Sequence, residues 1–197
     1  MSFEAFALPA VILLALAAVI LLVSYDWRLS LSALGVMYLG VFVLVAFSWP
    51  LEMAVAKLVT GWISASVLGM SLVNLPVAER QQSASYPSEI IFRVSSAGLV
   101  GLVAISLTPS VQNLLNATYE QALGGLLLSG LGVLHLGFTA QPLKIIIGLL
   151  TILAGFEILY ASVESSVLVA GLMAVIDMGV ALVGAYLLLA PTLEAEE

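Results

Sequence analysis

The sequence predicts an all-α, polytopic bundle of about seven transmembrane helices, and two observations lead to this fold class. First, 62% of the 197 residues are hydrophobic and only 9% are charged, whereas soluble domains carry about 25% charged residues. A chain this apolar cannot cover itself with polar surface, so its solvent must be lipid. Second, a helix needs about 20 apolar residues to cross a bilayer, and seven such runs fill the chain. We therefore expect one integral membrane domain over residues 1–197, with no separate soluble domain.

Short polar or aromatic breaks separate the predicted spans. Residues 25–28 (Tyr-Asp-Trp-Arg) suit a membrane interface, and residues 77–88 form the most polar stretch of the chain. Residues 108–118 are expected to be a polar loop, and the tail after Pro191 is expected to be mobile. The spans are predicted at 6–24, 30–48, 51–75, 90–107, 119–138, 143–163 and 167–189.

Lysine and arginine residues set the expected orientation, because cytoplasmic loops carry an excess of both. Arg28, Arg80, Arg93 and Lys144 all fall on one side of a seven-span chain, and the opposite loops contain neither residue type. We expect Arg93 to be a cytoplasmic anchor. The amino terminus is therefore predicted to lie outside, and the acidic carboxyl terminus in the cytoplasm.

The composition excludes several kinds of site. The chain has no cysteine and one histidine, which excludes cysteine-held iron–sulfur and zinc sites and the bis-histidine ligation of haem. The glycine-rich segment 123–132 lacks the lysine of a phosphate-binding loop, so it predicts helix packing instead. We expect no cofactor, no metal site and no nucleic-acid partner, and lipid around the chain.

Three charged residues lie well inside predicted spans: Lys57, Glu157 and Asp177. A charge near the bilayer centre costs about 2.5–3.5 kcal/mol on insertion scales and is by default a functional candidate. At about 1.5 Å per residue, Asp177 lies almost at the centre of its span. Glu157 and Lys57 lie roughly 7 and 9 Å from the centres of theirs, both toward the outer side. Lys57 and Glu157 are thus at similar depth and able to pair, and all three residues are candidates for ion translocation.

Each candidate also has a structural interpretation. Lys57 could extend its ammonium outward to the interface, and Glu157 or Asp177 could be a static contact that holds helices together. His135, one turn from the cytoplasmic end of span 5, and Glu164, two turns after Glu157 on the same predicted helix face, are candidate relay groups. The alternatives for them are an interfacial or capping histidine and a solvated helix end.

Two acidic motifs carry a resemblance to known proteins. Residues 149–160 (Leu-Leu-Thr-Ile-Leu-Ala-Gly-Phe-Glu-Ile-Leu-Tyr) place Glu157 in one span, and residues 174–179 (Ala-Val-Ile-Asp-Met-Gly) place Asp177 in the next. This pattern resembles the K-type subunit of respiratory complex I and the C-type subunit of Mrp antiporters. Together with residues 26–30 (Asp-Trp-Arg-Leu-Ser) after the first span, it is more similar to the E-type membrane protein of hydrogenase-4-type (group 4) membrane-bound hydrogenases.

The resemblance implies a four-helix amino-terminal part (1–110) followed by a three-helix K-like core (119–190). It implies a subunit of a complex I-like oxidoreductase complex in a prokaryotic cytoplasmic membrane, with no catalytic activity of its own. Glu157, Asp177 and Lys57 would pass protons, or sodium, toward antiporter-like partner subunits. The alternatives are a structural or assembly subunit without an ion path, and a small self-contained transporter, which would contain an internal repeat and broken helices.

Overall fold

The computed structural model describes residues 6–73, 75 and 87–194, without the side chains from residue 191 onward, and confirms the all-α prediction. The described part of the chain holds seven α-helices and no strand. The helices are α1 (Ala7–Val23), α2 (Trp27–Val45), α3 (Leu51–Val73), α4 (Pro87–Leu115), α5 (Tyr119–Gly137), α6 (Pro142–Ala161) and α7 (Val167–Glu194).

Five helices are long and apolar enough to cross a membrane: α2, α3, α4, α6 and α7. Helix α1 is apolar but has 17 residues. These lengths and compositions agree with an integral membrane protein. The count of seven crossings and the sidedness of the two ends stay predictions, and Arg80, one of the four cations behind the orientation, lies outside the described residues.

Two predicted irregular segments are helical. Helix α4 continues through 108–115, where a polar loop was expected, because the chain satisfies its own polar groups there: the Thr108 hydroxyl donates to the Ala104 carbonyl at 2.7 Å. The helix ends beside Asn116, whose φ of 52° is left-handed, a conformation that asparagine tolerates at helix ends. Helix α7 likewise runs past Pro191 to Glu194, into the segment that was expected to be a short tail; residues 195–197 lie outside the described residues.

Helix α3 packs against α2 and α7, and the consecutive pairs α1–α2, α4–α5, α5–α6 and α6–α7 also pack as neighbours. Helices α5 and α6 approach most closely because glycines face each other across the contact. A Cβ on Gly155 would lie 2.6 Å from the Ser129 nitrogen and 2.7 Å from the Gly125 carbonyl oxygen, and one on Gly132 would lie 2.9 Å from the Ile152 nitrogen. Small residues permit such approach in lipid, so the glycine-rich segment serves helix packing, as predicted.

The start of α5 is tied to the end of α2 through Gln121. Its backbone nitrogen donates to the Thr118 hydroxyl at 3.2 Å, and its side-chain oxygen accepts from the Thr118 nitrogen at 3.1 Å, which forms a capping box. The Gln121 amide also donates to the Leu44 carbonyl at 2.9 Å and to the Ser48 hydroxyl at 2.8 Å. One buried side chain therefore caps α5 and fastens it to α2.

Replacing Gln121 with alanine is expected to destabilise the protein by about 1–3 kcal/mol, since a buried hydrogen-bonded amide is lost and its partners are left without it. The measurement is the free energy of unfolding in SDS–detergent micelles. Gln141→Ala is the matched control, because Gln141 stands at the N-cap of α6 without a side-chain capping bond and should change stability by much less. Equal losses in the two variants would contradict this role of Gln121.

Candidate functional site

The fold brings Lys57, Glu157 and Asp177 together from three helices. The Lys57 ammonium contacts Glu157 Oε2 and Asp177 Oδ2, and the three side chains are 4%, 1% and 0% exposed. The sequence indicated that Lys57 and Glu157 are able to pair, and the structure contains this ion pair. Asp177 also pairs with Lys57. We call these three residues the Lys57 triad.

The positions of the triad follow from how its helices pack. Lys57 lies six residues after the start of α3, and Glu157 lies four residues before the end of α6, so the two come from the same end of the bundle. Asp177 lies on α7, which packs along α3. The Lys57 ammonium points to the two acids inside the bundle, so the interpretation that it extends outward to the interface does not hold.

Tyr38 on α2 forms one wall of the site, and sequence reasoning missed it. The Lys57 ammonium lies 5.2 Å from the centroid of the Tyr38 ring, within the range of a cation–π contact. The ring is fully buried, and its hydroxyl has no hydrogen-bond partner among the described residues. Gly61, one turn after Lys57, makes room for the Tyr38 ring, because a Cβ at Gly61 would lie 2.3 Å from Tyr38 Cγ. A tyrosine in the middle of an apolar run is the signal that could have indicated this role.

A cavity of about 140 Å³ reaches the triad from one end of the bundle. Lys57 and Glu157 lie in its wall, and the remaining lining comes mostly from apolar side chains of α3 and α7. Trp49 and Val167 mark the end toward which the cavity extends. The volume is enough for several water molecules, since a single water needs only about 10–15 Å³ of such space. Water can therefore approach Glu157 from this end, whereas Asp177 is outside the cavity lining.

The triad has an unbalanced charge. Two carboxylates and one ammonium sum to −1 when all three groups are ionised. Glu157 Oε1 and Asp177 Oδ1 have no hydrogen-bond donor among the described residues. A buried charge without a partner is costly in a low-dielectric interior, so one further positive charge would be stabilised here. The geometry thus provides free oxygen atoms that are able to accept one proton.

The two candidate relay residues lie away from the triad. Glu164 is exposed in the turn after α6, which ends at Ala161, so the prediction that it shares a helix face with Glu157 is wrong. The Glu164 carboxylate accepts a hydrogen bond from the Ser165 nitrogen at 3.1 Å. The backbone carbonyl of Glu164 accepts one from Trp49 Nε1 at 2.8 Å. His135 lies at the opposite end of the bundle, where it is 4% exposed and its Nε2 has no partner among the described residues.

A second charged cluster surrounds Tyr25 at the end where His135 lies. Arg93 donates to the Leu22 carbonyl and to Glu89 Oε1, both at 2.7 Å. The Arg93 guanidinium lies 5.2 Å from the centroid of the Tyr25 ring, and the Lys144 ammonium lies 4.4 Å from it. Lys144 is buried and donates to the Ser24 carbonyl. Sequence reasoning placed Lys144 and Arg93 in a basic loop region and did not foresee that both turn inward.

Comparison of the chain with protein-family models, curated proteins and solved structures finds no match.

Proposed function

We propose that the chain is a membrane subunit of a redox-driven ion pump of the complex I-like or membrane-bound hydrogenase type, and that the Lys57 triad transfers protons within it. The observation that carries the proposal is the sharing of one buried lysine by two buried acids at the inner end of a cavity. The type of parent complex, its antiporter-like partner subunits and its prokaryotic cytoplasmic membrane rest on the sequence resemblance.

The contacts support an order for the two acids. Glu157 lines the cavity and Asp177 does not, so Glu157 receives a proton from cavity water and Asp177 is the deeper group. When Glu157 binds the proton it loses its negative charge, and its attraction for the Lys57 ammonium falls. The ammonium then remains with Asp177. Loss of the proton restores the shared contact, so proton occupancy at Glu157 is coupled to the position of Lys57.

The same contacts favour protons over sodium as the cargo. The Lys57 ammonium lies against both carboxylates, so it occupies the position that a sodium ion would need. Under the predicted orientation the cavity faces the outer side, because Trp49 and Val167 lie at the loops on the side without lysine or arginine.

A structural role is the second candidate, and one observation favours it. Lys57 joins α3 to both α6 and α7, so the triad could hold three helices together without moving a proton. Buried polar contacts of this kind stabilise helix packing in membranes by modest amounts. The two functions differ in what removal of one acid does to transport by an assembled complex.

Proton translocation by the assembled parent complex in vesicles tests the proposal. Glu157→Gln and Asp177→Asn are each expected to lower redox-coupled pumping by about tenfold or more, because a group that must carry the proton has been removed. Glu164→Gln is the matched control, since Glu164 is exposed and outside the triad, and it should pump normally.

Assembly of each variant complex is checked before transport is compared. A fall in pumping, with electron transfer kept or reduced together with it, supports proton transfer by the triad. Normal pumping and electron transfer in assembled Glu157→Gln and Asp177→Asn complexes would overturn the proposal and leave the structural role.

A further inference from the structure

Several buried polar atoms outside the triad lack hydrogen-bond partners among the described residues. Within residues 6–73, 75 and 87–194, those outside the triad are the hydroxyls of Ser30, Tyr38 and Ser64 and Nε2 of His135. Other buried hydroxyls satisfy themselves, as Ser71 does on the Val67 carbonyl at 3.0 Å and Thr151 on the Ile147 carbonyl at 2.7 Å. Because folded proteins rarely leave buried polar atoms unpaired, these four groups indicate a ligand.

The four groups lie between the triad and the end of the bundle opposite the cavity. The Tyr38 ring contacts Lys57. Ser64 lies seven residues after Lys57, two turns along the same face of α3, which is about 10 Å at the helical rise. Ser30 lies eight residues before Tyr38, about 12 Å toward the start of α2.

His135 lies further in the same direction. It lies two residues before the end of α5 at Gly137, at the end of the bundle where α2 and α6 begin and α3 ends. The positive charges of Lys144 on α6 and Arg93 on α4 act on it, and Glu89 pairs with Arg93 nearby. His135 is therefore the last of the four groups in the direction away from the triad.

We propose that Tyr38, Ser64, Ser30 and His135 bind a file of internal water molecules that connects the Lys57 triad to the opposite end of the bundle. Water is the ligand of suitable chemistry, since each site offers hydroxyl or imidazole groups and a buried water makes about three hydrogen bonds. Use of this file for transport rests on the proposed function of the triad, whereas its hydration does not.

The file would carry a proton without net chemical change. Each water or hydroxyl accepts a proton on one side and donates its own on the other, so one O–H bond forms for each that breaks. At the end of the file, one ring nitrogen of His135 accepts a proton as the other donates its own, so the imidazole is neutral before and after the transfer. The triad and His135 are then the two ends of one path.

Water-edited solid-state NMR on the full chain in lipid bilayers tests this inference. Serine, tyrosine and histidine are isotope-labelled, and the single histidine gives an unambiguous signal. Ser30→Ala and Ser64→Ala assign the serine signals. Transfer of magnetisation from water to Ser30, Tyr38, Ser64 and His135 is expected to be as fast as transfer to Ser165 in an exposed loop. Ser71, which is also buried but is bonded to its own helix, is the matched dry control.

The two possible failures are distinguishable. If the four groups show transfer as slow as that of Ser71, the water file is wrong, and the proposed role of Glu157 and Asp177 is unaffected. If the four groups are hydrated and Ser64→Ala and Tyr38→Phe lower pumping by the complex whereas Ser71→Ala does not, the path is supported. Hydrated groups whose removal leaves pumping normal, in a complex that still requires Glu157, would overturn the connection to transport.

Discussion

Replacing Lys57 with methionine is expected to destabilise the bundle by about 3–5 kcal/mol, the usual cost of removing one partner of a buried ion pair. The variant keeps the apolar stem but leaves Glu157 and Asp177 buried at 1% and 0% exposure without the ammonium that contacts them both. The loss should appear as a lower free energy of unfolding in SDS–detergent micelles.

A triple variant, Lys57→Met with Glu157→Gln and Asp177→Asn, is the control for this prediction. Replacing a whole buried ion network with hydrophobic residues is often close to neutral, and the triple variant likewise leaves no unpaired charge, so much of the lost stability should return. A triple variant as unstable as Lys57→Met would show that the methionine itself fits badly. Wild-type stability in the Lys57→Met variant would contradict the triad as the structure shows it.

Gly61→Ala is expected to lower the free energy of unfolding by about 1–3 kcal/mol, the usual cost of adding a methyl group to a filled core. The added Cβ would lie 2.3–2.5 Å from three atoms of the Tyr38 ring. That ring is rigid and fully buried, so relief requires α2 and α3 to separate, which also moves Tyr38 away from Lys57. The measurement is the free energy of unfolding of the purified protein.

Gly98→Ala provides the matched comparison, because nothing lies within 4 Å of a Cβ at Gly98. Alanine is the better helix former by about 1 kcal/mol, so this variant should be unchanged or more stable. Adding Tyr38→Ala to Gly61→Ala should relieve the clash, and the cost of the two changes together should be less than their sum. Strictly additive costs would contradict a contact between Gly61 and Tyr38 as the cause.

The sequence was sufficient to predict the order of the described helices and the positions of the buried charges along them. An isolated charge in an apolar run is conspicuous, and the helical rise converts its position to a depth, which is how Lys57 and Glu157 were expected to pair. Depth alone did not place Asp177 with them, because it lies nearer the centre of its span. The long stem of Lys57 covers that difference, and only the packing of α3 on α7 shows that the side chains face each other.

Two helix ends were predicted wrongly because residue types alone do not indicate them. Polar residues near 108 indicated a loop, but a threonine hydroxyl can bond to the carbonyl of its own helix, so the helix continues. Apolar residues up to Val163 indicated a longer α6, yet the chain turns after Ala161 without a glycine or proline there. Glu164 was therefore assigned to a helix face that it does not share.

Residue type alone could not show which polar side chains point into the bundle. Lys144 was counted as a loop cation, but it is buried against the Ser24 carbonyl and the Tyr25 ring. Tyr38, Ser64 and Ser30 are uncharged and cost little in a hydropathy profile. Their importance depends on which face of a helix they occupy and on having no hydrogen-bond partner among the described residues, which is a property of the packed bundle.

The most direct test of the Lys57 triad as a proton-exchanging site is infrared difference spectroscopy of the full chain in bilayers, between acidic and alkaline buffers. The C=O stretch of a protonated carboxyl group reports proton binding at a buried acid. We expect a component of this signal that is lost or shifted in Glu157→Gln and in Asp177→Asn and that is kept in Glu164→Gln. A difference spectrum identical in the wild type, Glu157→Gln and Asp177→Asn would show that neither buried acid exchanges a proton, and would contradict the proposed function.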